Sequence, residues 1–367
     1  MIHAEGIAMS TWLDQLNTLI TAAGVSKQTL AESVGVDPST LYRYLTAKQD
    51  MPSTVLMTLL ARIGATMADL QPTPAPSYLR FRSDTAGVRD LPVIQRTIRR
   101  FADYAWLEDT LMGEPVYELL PAHKLIMKRR GSESDIAMLA RSTRAAMGFS
   151  ESGPIPTFIS CLQLTVKLLT FMHAGQPDGV SVAEPAWGWC LAVNIADRSA
   201  ERVLFTAAHE LGHMVCGHLA ISEDEGKPSA EIEKVADSFA GHFLVPGESL
   251  RAHWKGVNPG NRPLHQTHLH GLKSIYGVSY RCLLTRLLDE KYITSSTFDS
   301  WILRLYPQGT LNEPAQQQPS PDYEERLRIF AVQAYQQELI GVQKFAELLN
   351  ISFEEAWEYL REAAPND

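Results

Sequence analysis

The chain has few cysteines and no long apolar stretch. Four cysteines are present among 367 residues, and none forms a Cys-x-x-Cys pair, which excludes a disulfide scaffold. No run of eighteen apolar residues occurs, so a membrane-spanning helix is excluded as well. The first residues lack the basic and apolar regions of a signal peptide. We therefore expect a reduced, cytoplasmic protein that does not contact a membrane.

The chain also lacks an excess of positive charge. Its formal net charge of −9 at pH 7 gives no overall attraction to nucleic acid, so any contact with DNA has to come from a local surface. The length predicts two or three domains, and the apolar fraction of 45% is sufficient for a buried core.

Residues 1–70 carry a succession of short helical patterns. A helix that Ser26 can cap is broken at Gly35, and Asp37, followed by a proline, then starts the next helix. Two helices joined by such a short, glycine-containing turn are typical of a helix-turn-helix. The stretch from Ser26 to Leu45 resembles repressor-type helix-turn-helix domains of the XRE class.

That resemblance implies a DNA-binding surface. According to this resemblance, Gln28 would contact a DNA phosphate. Four side chains would face the major groove: Ser39, Thr40, Arg43 and Tyr44. The local charge is unfavourable, because four bases and six acids between residues 1 and 70 sum to −2, whereas phosphate neutralisation needs a basic face. A helix-turn-helix that serves protein contact or a homodimer is therefore the open alternative.

Proline-rich stretches divide the rest of the chain. We predict a linker at residues 71–78, a helical connecting region at 79–143, a core domain at 144–310, a second linker at 311–321 and a helical C-terminal domain at 322–367. Within the core domain, apolar residues from Phe158 to Leu169 recur at helical spacing, and Val180 to Asn194 is β-like. The predicted fold class is mainly α with a small β-sheet (α+β).

The core domain contains the motif His-Glu-x-x-His at residues 209–213. Residues four apart lie on one face of a helix, so His209 and His213 can both reach one metal ion. Glu210 lies close enough to meet a water on that metal, as the base of a metallopeptidase does.

Two histidines do not complete such a site, because a zinc ion in a protein needs at least three protein ligands. A second helical pattern begins at about residue 230, and its Glu233 is the expected third ligand. Asp237 lies one turn further on the same face, where it can hold the second nitrogen of a ligand histidine. Glu231 is an alternative third ligand.

Two further residues close to the motif remain open. Cys216 could bind the metal as a thiolate in a latent state, and His218 could lie near the cleft. The metzincin class requires a histidine six positions after the second motif histidine. Leu219 stands there, so that class is disfavoured.

These residues resemble the metallopeptidases of the ImmA/IrrE type, with gluzincin-like ligands. The resemblance runs from Arg144 to Leu288 and rests on Gly153-Pro-Ile, Ala192-Val-Asn, Arg202, Phe205-Thr-Ala-Ala-His-Glu-Leu-Gly-His, Glu233-Lys-Val-Ala-Asp and Leu244-Val-Pro. It implies a zinc-dependent metallo-endopeptidase with His209, His213 and Glu233 as ligands and Glu210 as base. The order of a helix-turn-helix before a peptidase also resembles bacterial and phage proteins of this class.

The resemblance further implies a substrate. Family members cut helix-turn-helix repressors and so switch on stress or mobile-element genes, and we expect such a partner here. Manganese suits two histidines and a carboxylate as well as zinc does. The donor that stabilises the transition state stays open among His265, His268, His270 and Tyr276. The alternative is a DNA-binding regulator whose metallopeptidase-like domain acts as a sensor. An extended substrate is expected along an edge strand near Trp187 to Asn194.

Overall fold

The structure is a computed structural model of the chain. It describes residues 12–63, 65, 67–70, 74, 76, 78–81, 88, 91–113, 132–155, 158–175, 177–184, 186–217, 230–260, 262–305, 313 and 323–363. The chain divides into two compact units. The first contains Met1–Ala75 and Thr85–Ala102, and the second contains Pro76–Asp84 and Asp103–Asp367. In the described part of the chain, no helix is both long enough and apolar enough to cross a membrane.

The first unit is helical. It comprises α1 (Trp12–Ala22), α2 (Lys27–Ser33), α3 (Pro38–Leu45), α4 (Ser53–Arg62), a 3-10 turn (Met67–Leu70) and the first part of α5 (Pro92–Met112). The two predicted helix caps are confirmed: Ser26 accepts a hydrogen bond from the amide of Thr29, and Asp37 accepts from those of Ser39 and Thr40. The fully buried Asp69 pairs with Arg96 at 2.8 Å and with Arg99.

The second unit combines helices with a small sheet. Its strands are β1 (Tyr78–Phe81), β2 (Lys167–Phe171), β3 (Gly179–Glu184) and β4 (Gly188–Asn194). Besides the end of α5, its helices are α6 (Glu133–Ala146), α7 (Phe158–Leu162), α8 (Ala200–Val215), α9 (Ala230–Leu244), α10 (Gly247–Val257), α11 (Gln266–Tyr276), α12 (Tyr280–Asp289), α13 (Ser295–Leu305), α14 (Glu325–Gln336), α15 (Val342–Leu349) and α16 (Phe353–Glu362). The predicted fold class, mainly α with a small β-sheet, is confirmed.

The four strands lie in the order β1-β3-β4-β2. β3 is antiparallel to both β1 and β4, whereas β2 is parallel to β4. Helix α8 packs against β3 and β4, and α9 packs against both α8 and α6. Helix α8 therefore packs against the sheet and also against α9.

Gly212 explains how closely α8 and α9 approach. A methyl group on Gly212 would lie 2.9 Å from Cδ1 of Phe239 and 3.4 Å from the Cα of Ala236. Glycine leaves this space to the side chains of α9, which are fully buried at the helix interface. The close contact brings the first turn of α9 within reach of the motif residues of α8.

The strands correct three expectations. Residues 167–171 form β2, so the helical spacing from Phe158 to Leu169 did not mark one helix; α7 ends at Leu162. Residues 78–81, at the boundary of the predicted linker and the helical connecting region, form β1. β4 is flanked by β3 and, from Cys190 to Asn194, also by β2, so this part of the predicted substrate strand is paired on both sides and has no free edge for a peptide.

Candidate metal centre

Helix α8 presents its motif residues to the interior of the second unit. Ser199 caps the helix by accepting a hydrogen bond from the amide of Arg202. His209, Glu210 and His213 are at most 1% exposed. Three polar side chains buried side by side need partners, because an unpaired buried polar group costs about 1–3 kcal/mol. The structure supplies partners from α9 and from β3.

The three predicted ligands converge on one point. Nε2 of His209 lies 2.9 Å from Nε2 of His213. A carboxylate oxygen of Glu233 lies 3.2 Å from the first of these nitrogens, and the other oxygen lies 3.5 Å from the second. Among the described residues, these three form the group of histidine, cysteine and acidic side chains whose spacing could hold a metal ion. Glu231 is exposed and lies outside this group.

The donor set fits a divalent transition metal. A tetrahedral zinc ion with ligand bonds of about 2.0–2.1 Å places its ligand atoms about 3.3 Å apart, close to the separations of 2.9, 3.2 and 3.5 Å observed here. Two imidazoles and one carboxylate leave a fourth position for water or substrate, which is the arrangement of catalytic rather than structural zinc. Manganese accepts the same donors.

Asp237 orients the first ligand. Its carboxylate lies 2.7 Å from Nδ1 of His209. A carboxylate only accepts, so Nδ1 carries the proton and Nε2 directs its lone pair to the common point. The side chain of Asp237 is 52% exposed, and it borders a cavity of about 740 Å³. The predicted position of Asp237 behind a ligand histidine agrees with this contact.

The electrostatics of Glu233 favour its ionised form. Burial acts to raise the pKa of Glu233, but hydrogen bonds and charge from His209 and His213 outweigh it and hold the pKa well below its usual range. The carboxylate is therefore charged at neutral pH, as a metal ligand must be.

Glu210 packs against strand β3 of the sheet. The hydroxyl of Ser181 on β3 donates to Oε2 of Glu210. A methyl group on Gly179 would lie 2.7 Å from Oε1 and 2.8 Å from Cγ of the same side chain, so only glycine admits the carboxylate there. β3 thus holds Glu210 in one orientation beside the ligands. Neither residue was predicted, although small residues at alternate positions of a strand are a signal of close helix packing.

The remaining candidates near the motif have other surroundings. Cys216 is buried, burial raises the pKa of its thiol to about 12, and it does not belong to the group of side chains whose spacing could hold a metal ion. His218 lies outside the described residues. The hydroxyl of Tyr276 is hydrogen-bonded to the hydroxyl of Ser249 at 2.7 Å and to Nδ1 of His253 at 2.9 Å.

The histidines of α11 lie at its start. His265 caps the helix, and Nδ1 of His268 accepts a hydrogen bond from the backbone amide of His265. His270 is exposed on the second turn. None of these contacts identifies the transition-state donor.

The predicted DNA-binding residues of the first unit are only partly at its surface. Gln28, Ser39 and Arg43 are exposed, and Thr40 is half-buried. Tyr44 is 7% exposed because it shares the buried face of α3 with Leu41 and Leu45, so the prediction that it faces a DNA groove is wrong. The hydroxyls of Ser39 and Thr40 both donate to Asp37.

Comparison with known families agrees with the geometry of the metal centre. Residues 166–288 match the Peptidase_M78 family, the IrrE N-terminal-like domain. This IrrE-like domain begins just before β2 and ends within α12, so it contains β2, β3, β4 and every residue of the metal centre. It is less than half of the chain. The search of curated proteins found no match.

Proposed function

We propose that the second unit is a metal-dependent endopeptidase. The observation that carries this proposal is the convergence of His209, His213 and Glu233 beside the buried carboxylate of Glu210. The match of the surrounding residues to a peptidase family supports it. A metal ion bound here, zinc by preference, supplies polarisation of the scissile carbonyl and a lowered pKa of the attacking water.

Glu210 is the general base in this mechanism. Its carboxylate takes the proton from the attacking water and delivers it to the leaving amine. Ser181 fixes the rotation of that carboxylate through its hydrogen bond to Oε2. Asp237 keeps His209 in the tautomer that binds metal. β3 contacts Glu210 through Ser181 and Gly179 and so lies next to the general base.

Replacement of Glu210 by glutamine tests the mechanism. The ligands stay in place, so metal content measured by elemental analysis should be unchanged, whereas cleavage should fall at least about 100-fold because the base is lost. Glu231→Gln is the matched control, because it removes an exposed acid from the first turn of α9 and should retain activity. Cleavage that survives in Glu210→Gln with metal bound would refute the proposal.

We further propose that the substrate is a helix-turn-helix repressor. The resemblance to ImmA/IrrE peptidases supports this class, and its cleavage would switch on stress or mobile-element genes. Purified protein loaded with zinc should cut a repressor encoded next to its gene, and mass spectrometry of the products would locate the cleaved bond. An intact repressor after incubation with the active enzyme would exclude that substrate.

The second candidate function is a DNA-binding regulator whose metal centre acts as a sensor. The exposed Gln28, Ser39 and Arg43 on α2 and α3 favour it. In the full-length chain, Arg43→Ala should weaken binding of an operator fragment in a gel-shift, whereas Arg62→Ala, an exposed arginine on α4, should not. Under this function alone, Glu210→Gln would leave gene regulation intact.

A further inference from the structure

Strand β3 packs against Glu210, the general base of the proposed mechanism. Ser181 and Gly179 of β3 both contact Glu210. The inner edge of the strand pairs with β4, so an incoming peptide could add only to the outer edge. Strand addition is a general way in which a protein binds an extended peptide, because it supplies backbone hydrogen bonds that do not depend on the peptide's sequence.

That outer edge is already paired with β1. The register sets Tyr78 opposite Ala183, Leu79 opposite Val182, Arg80 opposite Ser181 and Phe81 opposite Val180. The backbone of β1 therefore runs antiparallel alongside the part of β3 that contacts Glu210. A peptide substrate paired with β3 would need the same hydrogen-bonding groups.

β1 is not part of the family domain. The match begins at residue 166, whereas β1 ends at Phe81. The other three strands lie inside the match. β1 thus joins the sheet from a segment that precedes the IrrE-like domain, and its four residues make it a short strand that can be exchanged for another.

We propose that β1 occupies, in cis, the edge of β3 at which a peptide substrate pairs, and that it has to leave before a substrate can enter. This inference rests on the proposed peptidase function. It identifies the substrate-binding element as the outer edge of β3 and the regulator as the chain's own segment Tyr78–Phe81. A strand that only covers a sheet edge would protect the fold but would not compete with substrate.

A reversible cross-link tests the proposal. Directly opposed residues of antiparallel strands have Cα atoms about 4.5–5.5 Å apart, within the range that a disulfide spans. Leu79→Cys with Val182→Cys therefore locks β1 onto β3 when oxidised and releases it when reduced. The pair is made with Cys161→Ser and Cys190→Ala, because Cys161 is only partly buried and Cys190 lies opposite Val182 on β4, where it could pair with the new cysteine.

A second cysteine pair is the matched control. Ala183→Cys with Trp189→Cys joins β3 to β4, which are register partners that the proposal leaves paired. Should the buried Val182 not tolerate replacement, Tyr78→Cys with Ala183→Cys provides the same lock at the neighbouring register pair.

Cleavage of fluorescein-labelled casein by zinc-loaded protein is the first readout. We expect the oxidised lock to cleave at least about tenfold more slowly than its reduced form, with equal zinc content in both. The control pair should differ less than twofold between its two forms. Measurable cleavage at the same rate by the oxidised and the reduced lock would overturn the proposal.

Peptide binding is the second readout, and it separates this inference from the proposed function. A labelled peptide with the sequence of residues 76–84 should bind the reduced lock at least about tenfold more tightly than the oxidised one, measured by fluorescence polarisation in Glu210→Gln protein. If this difference is found but neither form cleaves casein or a helix-turn-helix repressor encoded next to its gene, the peptidase function fails, whereas the proposal that β1 occupies the edge of β3 is supported. If the two forms bind the peptide equally, the occupancy fails whatever the cleavage result.

Discussion

Asp237→Asn removes one negative charge from the metal centre while it keeps an oxygen opposite Nδ1 of His209. Loss of the carboxylate behind a ligand histidine lowers metal affinity by about 10- to 100-fold in known sites. Asp237 is 52% exposed, so solvent already screens much of its charge. We therefore expect the lower end of that range, about tenfold, which corresponds to about 1.4 kcal/mol of binding free energy.

The assay is a zinc titration of the metal-free protein against a chromophoric chelator at neutral pH. Glu231→Gln is the matched control, because Glu231 is an acid of the same helix that is exposed and lies outside the ligand group. Its affinity should stay within twofold of that of the unmodified protein. The reasoning is refuted if Asp237→Asn also binds zinc within twofold, or if Glu231→Gln weakens binding as strongly.

Three other predictions concern the frame around the centre. Gly212→Ala places a methyl group 2.9 Å from Phe239. In thermal denaturation, this substitution should cost about 1–3 kcal/mol of folding stability. In a zinc titration, it should weaken zinc binding. Two arginines lower the pKa of Asp178 although burial acts to raise it, so its stabilisation is complete above the ordinary value of 3.8 and is lost as pH falls through the lower folded value. We compare the melting temperatures of the unsubstituted protein and the Asp178→Asn variant, both without metal. The difference between them should become smaller as the pH is lowered from 5 to 3. Arg144→Met removes the donor to three backbone carbonyls and should cost at least about 3 kcal/mol in urea denaturation. Arg141→Met, which loses one exposed ion pair, should leave the urea midpoint nearly unchanged.

The ligands were predictable because they follow one helical period. His209 and His213 lie four residues apart on α8, and Glu233 and Asp237 lie four residues apart on α9. Within a helix, this spacing alone determines which side chains share a face. To bring the face of α8 against that of α9, the chain needs only a connecting segment long enough to reverse its direction. The structure accordingly brings the four predicted residues together.

The strands were harder to predict because their neighbours are distant in sequence. β2 is buried along nearly its whole length, so it shows no alternation of apolar and polar residues, and its leucines happened to continue the spacing of α7. β1 pairs with residues about a hundred positions later, and no local pattern in four residues reveals such a partner. The β-like pattern from Val180 to Asn194 correctly predicted β3 and β4, but it did not reveal that Ser181 and Gly179 pack against Glu210.

The packing between α8 and α9 also determines how the metal is gained and lost. The two helices are held together by apolar contacts, among them the close approach of Gly212 on α8 to Phe239 and Ala236 on α9, and these contacts do not involve the metal ligands. Small zinc-dependent domains unfold when the ion leaves. Helices α8 and α9, in contrast, belong to a large apolar core that does not depend on the ion for its packing. We therefore expect that metal can be withdrawn and restored without a folding step and, under the proposed peptidase function, that catalytic output follows the free metal concentration rather than the rate of new protein synthesis.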